Sequence, residues 1–158
     1  MLEGCQTAKE RWGGVSEIID RLLNERQELI ALYCSINGMY HFDDDKRPVA
    51  SKLKELCQIL VDYASAGHFG VYEQLIQEAR EFNDGGVELA NTILPMLEEN
   101  TSRCLRFNDS CESISSLKRL QEAVSKLGET LEERFSFEDK MIEILHESHR
   151  NKLVEHDV

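Results

Sequence analysis

Four long stretches of the sequence repeat apolar residues at helical spacing, and this periodicity most restricts the folds that the chain can adopt. The stretches run from about Thr7 to Ser35, Pro48 to Phe82, Val87 to Glu112 and Ser116 to Ser148. No convincing alternation typical of β-strands separates them. The pattern therefore predicts an all-α fold, an antiparallel up-and-down four-helix bundle with short connecting turns, formed by one domain over residues 1–158.

Charge and composition restrict the function. The formal net charge of −12 argues against nucleic acid as a direct ligand, because phosphates would be repelled. The same charge favours a basic protein partner, although acidity that serves solubility alone gives the same count. Neither a signal peptide nor an apolar span long enough for a membrane is evident, so we expect a cytoplasmic protein without a membrane partner.

The five cysteines show no CxxC spacing and are odd in number. Such a set is not typical of a disulfide framework or a zinc knuckle. We therefore expect thiols that are buried or half-buried on helices, with no disulfide among them.

The most unusual segment runs from Leu60 to Glu73, inside the second helical stretch. Four small residues follow Asp62 and Tyr63, and they end at Gly67. Such residues let another backbone approach closely, or they leave a hollow for a partner. Gly67 or Gly70 can also kink or split the helix at this point.

A helical wheel divides this segment into two faces. The core stripe continues through Gly67, Val71 and Leu75. The opposite face collects carboxylates, aromatic rings and an isoleucine, which is typical of partner-binding surfaces. The predicted partner-binding residues, including the neighbouring histidine, are Asp62, Ser65, His68, Phe69, Tyr72, Glu73 and Ile76. The wheel leaves open whether Phe69 and Tyr72 pack on a neighbouring helix instead.

Catalytic and metal chemistry have weak support. Carboxylate-bridged metal pairs in helical bundles need two Glu-x-x-His units, and this chain has one, Glu143 to His146, followed by His149. We expect His146 and His149 to be a solvated pair near the charged C-terminus. No nucleophile has an evident base at helical spacing, so we predict no enzymatic activity, no cofactor and no metal site.

Three blocks of the sequence resemble the Rsd/AlgQ family, the regulators of sigma D. The most specific is Leu60-Val61-Asp62-Tyr63-x-Ser65-Ala66-Gly67-His68-Phe69-x-x-Tyr72-Glu73. A block that begins Glu10-Arg11-Trp12-Gly13-Gly14-Val15 resembles the first helix of the family. The block Gly128-Glu129-x-Leu131-Glu132-x-Arg134-Phe135-x-x-Glu138-Asp139-Lys140 resembles its last helix.

The resemblance implies an anti-sigma factor. Such proteins bind the primary sigma-70-type factor, chiefly its region 4, and keep it from core RNA polymerase and the −35 element. Region 4 is a basic helix-turn-helix module, which suits an acidic partner. The resemblance places the binding hollow on the Asp62 to Glu73 block, with Asp62 first in line to pair with a sigma arginine. The alternative is a metal- or small-ligand-binding bundle, and other regulatory proteins are further conceivable partners.

Overall fold

The computed structural model describes residues 8–39, 46–113 and 117–150 of the chain. Five α-helices and no strand lie within these ranges. They are α1 (Ala8–Met39), α2 (Lys46–Ala66), α3 (Tyr72–Phe82), α4 (Gly86–Ser110) and α5 (Leu117–Leu145). A π-helix, Gly67–Val71, joins α2 to α3, and short 3-10 turns follow α4 and α5 at Cys111–Ser113 and Glu147–His149.

The all-α prediction is confirmed, but the predicted count of four helices is not. The second predicted helix is divided at Gly67, where the wider π turn begins, so α2 and α3 are separate helices. In contrast, Pro95 does not divide α4, which continues through it as one helix. None of the described helices combines the length and the apolar character that crossing a membrane requires.

Side-chain contacts show that neighbouring helices run in opposite directions. At one end of α1, the Trp12 indole donates to the carbonyl of His146, while near the other end the Tyr33 hydroxyl donates to that of Val124. Asn100 on α4 contacts Thr130 on α5. Ser110, farther along α4, lines a groove together with Ala123, which comes before Thr130 on α5. Both pairs of helices are therefore antiparallel.

The core consists of the predicted apolar stripes. Every described α-helix contributes side chains to one cluster of buried residues. The fully enclosed ones, at 0% exposure, include Leu29, Ile36, Leu56, Leu97, Val124 and Leu145. This burial explains why helices with many charged residues pack together, since removal of apolar surface from water is the main favourable term in folding.

The short turn that is predicted between the second and third helical stretches lies at Asn83 to Gly86, directly after α3. Asn83 has a positive φ of 46° and its N–H bonds to the carbonyl of Ala79, which ends α3. Gly85 has a φ of 93°, a conformation that glycine adopts at little cost. These two residues reverse the chain within a few positions and start α4 against α3.

Gly128 on α5 is a point of close approach between helices. A Cβ atom built there would overlap the hydroxyl of Tyr33 and lie 2.8 Å from its Cζ. The absence of a side chain is what lets the Tyr33 ring cross α5 and bond to Val124.

We therefore expect Gly128→Ala to lower the free energy of unfolding by about 1–3 kcal/mol, because the ring must move. Gly13→Ala is the matched control, since a Cβ there meets nothing within 4 Å among the described atoms. Alanine in that helical position should raise stability by ~0.5–1 kcal/mol. Urea unfolding of both variants tests the pair, and equal effects would contradict the close approach.

Candidate partner-binding surface and the network beneath it

Asp62 lies on the exposed face of α2, as the helical wheel predicts. Its carboxylate oxygens accept hydrogen bonds from the Gln58 side chain at 3.3 and 3.4 Å. These bonds are between exposed groups, so water competes with them and a partner can replace them. Asp62 is therefore held in one direction while staying open to a cation.

The other predicted surface residues fall into three groups. Glu73 is exposed, whereas Ser65 and Ile76 are half-buried. The backbones of His68 and Phe69 belong to the π-helix, but their side chains lie outside the described part of the structure. Tyr72, a predicted partner-binding residue, is buried at 1% exposure. Of the two positions that the helical wheel leaves open for its ring, the structure has the one that packs against a neighbouring helix.

The π-helix explains the burial of Tyr72. The backbone N–H of Tyr72 bonds to the carbonyl of Gly67, five residues earlier. In an α-helix it would bond to the carbonyl four residues earlier. The π turn thus takes in one extra residue, and each later side chain rotates by roughly 100°. Tyr72 consequently takes the angular position that a straight helix would give to residue 71, on the core stripe.

This rotation brings Tyr63 and Tyr72 to the same carboxylate. Nine positions apart on a straight α-helix, the two rings would point about 180° apart, and the extra residue reduces that angle to about 80°. The Tyr63 hydroxyl donates to Oε1 of Glu138, and the Tyr72 hydroxyl donates to Oε2 at 2.5 Å. One oxygen of this carboxylate on α5 is therefore bonded to α2, which carries Asp62, and the other oxygen is bonded to α3.

Gly67 makes room for this arrangement. A Cβ atom on Gly67 would lie 3.0 Å from the Tyr72 hydroxyl and 3.5 Å from an Arg134 nitrogen. A side chain at Gly67 would therefore crowd the Tyr72 ring, which the π-helix directs into the core.

Arg134 balances the charge of the buried Glu138. Its side chain is 0% exposed, and its Nε lies 3.5 Å from Glu138 Oε2. One terminal nitrogen donates to the Thr101 hydroxyl at 2.8 Å, and the other donates to the Ala64 carbonyl at 3.3 Å. The guanidinium therefore links α4, α5 and the last turn of α2.

Burial shifts the titration of this network. Desolvation raises the pKa of Glu138, against the opposing pull of Arg134 and the two tyrosine hydrogen bonds. Desolvation and the neighbouring Glu138 carboxylate raise the pKa of both Tyr63 and Tyr72 above the usual tyrosine range. Both phenols thus stay protonated and remain hydrogen-bond donors.

The sequence interpretation did not assign Glu138 and Arg134 to the site. The signal was present, because both positions follow Leu127 and Leu131 along the apolar stripe of α5. A charged pair four residues apart on a buried stripe indicates an internal network, since isolated buried charges are unfavourable.

The expected solvated pair, His146 and His149, is also wrong, because both side chains are 0% exposed. The Nδ1 atoms of His146 and His149 lie 2.6 and 2.8 Å from the two carboxylate oxygens of Glu78 on α3. The Trp12 ring stacks on His146 at a centroid distance of 4.2 Å. Glu78 thus links α3 to the segment that follows α5.

A metal centre has no support from the described residues. No group of three or more His, Cys, Asp or Glu side chains within residues 8–39, 46–113 and 117–150 is arranged to hold an ion. The Glu78 cluster instead pairs its carboxylate with ring nitrogens at hydrogen-bond distance.

A separate groove of about 510 Å³ lies between α4 and α5. It is lined by the basic side chains of Arg103, Arg106 and Lys126 and by the apolar side chains of Phe107 and Leu127.

Comparison with known proteins gives one consistent result. The chain matches the family described as "Regulator of RNA polymerase sigma(70) subunit, Rsd/AlgQ" over residues 1–146. A protein named Regulator of sigma D from Yersinia pseudotuberculosis serotype O:1b is 35% identical over 153 residues, which cover 94% of this chain and 90% of that protein. Proteins of the same name from Yersinia enterocolitica and Salmonella arizonae are 33% and 35% identical, covering 94% and 90% of this chain and 92% and 90% of their own lengths.

The tyrosine network predicts a loss of stability at alkaline pH. An unfolded chain releases tyrosine protons near pH 10, whereas the folded chain retains those of Tyr63 and Tyr72, whose pKa values are raised. Stability is therefore fully present below pH 10 and falls as pH rises above it, by up to ~1.4 kcal/mol per pH unit for each tyrosine.

We expect Tyr72→Phe to remove about half of this pH-dependent loss, because it removes one of the two retained protons. Urea unfolding between pH 9 and pH 11 measures how steeply the free energy of unfolding falls with pH. The titrations of lysines and cysteines contribute equally in both proteins and so do not affect the difference between them. Identical slopes for wild type and variant would mean that Tyr72 is not held neutral by the fold.

Proposed function

The chain belongs to the Rsd/AlgQ family of regulators of the RNA polymerase sigma(70) subunit, and on this basis we propose that it binds the primary sigma-70-type factor. By holding that factor, it limits the association of sigma with core RNA polymerase and with the −35 element. The family match over residues 1–146 is the observation that carries the proposal. Its place of action is the cytoplasm, where RNA polymerase works, and its direct ligand is a protein rather than nucleic acid.

Region 4 of the sigma factor is the proposed target. This region is a basic helix-turn-helix module, and the chain has a net charge of −12. Opposite charges speed the encounter of two proteins and disfavour wrong partners. The complex should therefore weaken as salt rises, because at 0.1 M salt the attraction between exposed charges more than about 10 Å apart is largely screened.

The proposed contact surface centres on Asp62. Its exposure, and its bonds to a side chain rather than to the core, support a carboxylate that is available to a sigma arginine. Ser65, Glu73 and Ile76 extend this surface along α2 and α3, and His68 and Phe69 belong to it by their place in the chain. Tyr72 contributes indirectly, because it is buried and holds the π-helix against Glu138.

We expect Asp62→Ala to weaken binding to isolated region 4 by ~2–5 kcal/mol, because a sigma cation would be left buried without its partner. The free energy of unfolding should change by less than ~1 kcal/mol, since the side chain is exposed. Titration calorimetry and thermal melting, carried out side by side, measure the two effects.

Asp109→Ala is the matched control for charge. Asp109 is an exposed carboxylate near the end of α4, so its removal changes the net charge equally without touching α2. Its affinity for region 4 should stay close to that of wild type. If Asp62→Ala also binds like wild type, this surface is not the sigma site. If full-length sigma binds but isolated region 4 does not, the target region is wrong.

A further inference from the structure

Two cysteine thiols lie against each other between helices. The Sγ atom of Cys57 on α2 is 3.0 Å from the Sγ atom of Cys111, which begins the 3-10 turn after α4. Cys57 is 8% exposed and Cys111 is 2% exposed. The sulfur atoms of a disulfide are about 2.05 Å apart, so an approach of about 1 Å separates this pair from a covalent bond.

We propose that Cys57 and Cys111 form a redox-modification site, at which a peroxide converts the two thiols into an intramolecular disulfide. The proposal is independent of sigma binding. It also revises the expectation, drawn from an odd number of cysteines without CxxC spacing, that no disulfide would form. Sequence spacing could not indicate the pair, because the two residues are 54 positions apart and belong to different helices.

The reaction balances with one peroxide molecule. Cys57 is the more exposed of the two, and its thiolate attacks one oxygen of the peroxide. The O–O bond breaks, the other oxygen leaves as water, and Cys57 becomes a sulfenic acid. The sulfur of Cys111 then attacks the sulfur of that sulfenic acid. The S–S bond forms, the S–O bond breaks and a second water leaves. In total the two thiols lose two protons and two electrons, and the peroxide is reduced to two waters.

The other described cysteines lack this geometry. Cys34 is exposed on α1. Cys104 is buried, and its Sγ lies 3.8 Å from the amide oxygen of Asn100. Desolvation raises the pKa of Cys104, against the opposing charges of Arg134 and Arg103, so its thiol stays protonated and unreactive. Cys57 and Cys111 are thus the described thiols that are placed to react with each other.

The disulfide would join α2, which carries Asp62, to the end of α4. Closing a loop of this length restricts the unfolded chain and leaves the folded arrangement nearly unchanged. The oxidised protein should therefore melt at a higher temperature than the reduced protein, by roughly 5 °C or more. The covalent link would also resist local separation of α2 from α4.

Treatment of the full chain with hydrogen peroxide tests the proposal. After unfolding and alkylation, peptide mapping should find Cys57 and Cys111 in one linked fragment, and dithiothreitol should restore both thiols. The melting temperature should rise on oxidation and return on reduction. Two separate sulfinic acids, two unreacted thiols, or a link that joins either residue to another cysteine would each overturn the proposal.

Substitutions supply the controls. Cys57→Ser and Cys111→Ser should each abolish the oxidation-dependent rise in melting temperature. Cys104→Ser, also at a buried position of 1% exposure, should keep that rise. If a serine variant does not fold, the peptide map of the wild-type protein still decides. A rise that persists in folded Cys57→Ser would show that another modification causes it.

Discussion

A single buried carboxylate, that of Glu138, determines which sides of α2 and α3 face the core. Glu138 accepts hydrogen bonds from Tyr63 before the π-helix and from Tyr72 after it. A straight helix cannot direct both rings to one side, because nine positions turn them about 180° apart. The one-residue insertion, the glycine that makes room for Tyr72, and the exposed position of Asp62 therefore form one connected arrangement.

The charge of that carboxylate is acceptable only because its surroundings are complete. Arg134 supplies the opposite charge and in turn donates to Thr101 and Ala64. Buried ion pairs often contribute little net stability compared with apolar side chains of the same size, whereas removal of one partner typically costs about 3–5 kcal/mol. Here the network favours one backbone conformation over another. It disfavours a straight second helix, in which one tyrosine would leave Glu138 without a donor.

The sequence predicted the parts of the fold that depend on apolar periodicity. Leu60, Leu97 and Val124 are apolar positions within the predicted helical stretches, and all three are buried. The turn at Asn83 to Gly86 lies in the predicted gap between the second and third stretches. Tyr72 could not be placed this way, because a helical wheel assumes a constant rotation per residue and the π-helix breaks it. The prediction that His146 is solvated was wrong for another reason. Its burial depends on Glu78, a partner 68 positions away in the sequence.

The division between buried and exposed polar groups bears on how the surface can act. Asp62 is exposed, while the groups that orient α2 and α3, Glu138 and Arg134, are enclosed. A partner can therefore replace the weak Gln58 bonds of Asp62 without disturbing the core. The π turn lies between the two exposed carboxylates, Asp62 and Glu73, and rotates one relative to the other. Their relative direction, which a basic partner would have to match, is thus determined by a hydrogen-bond network that the partner need not touch.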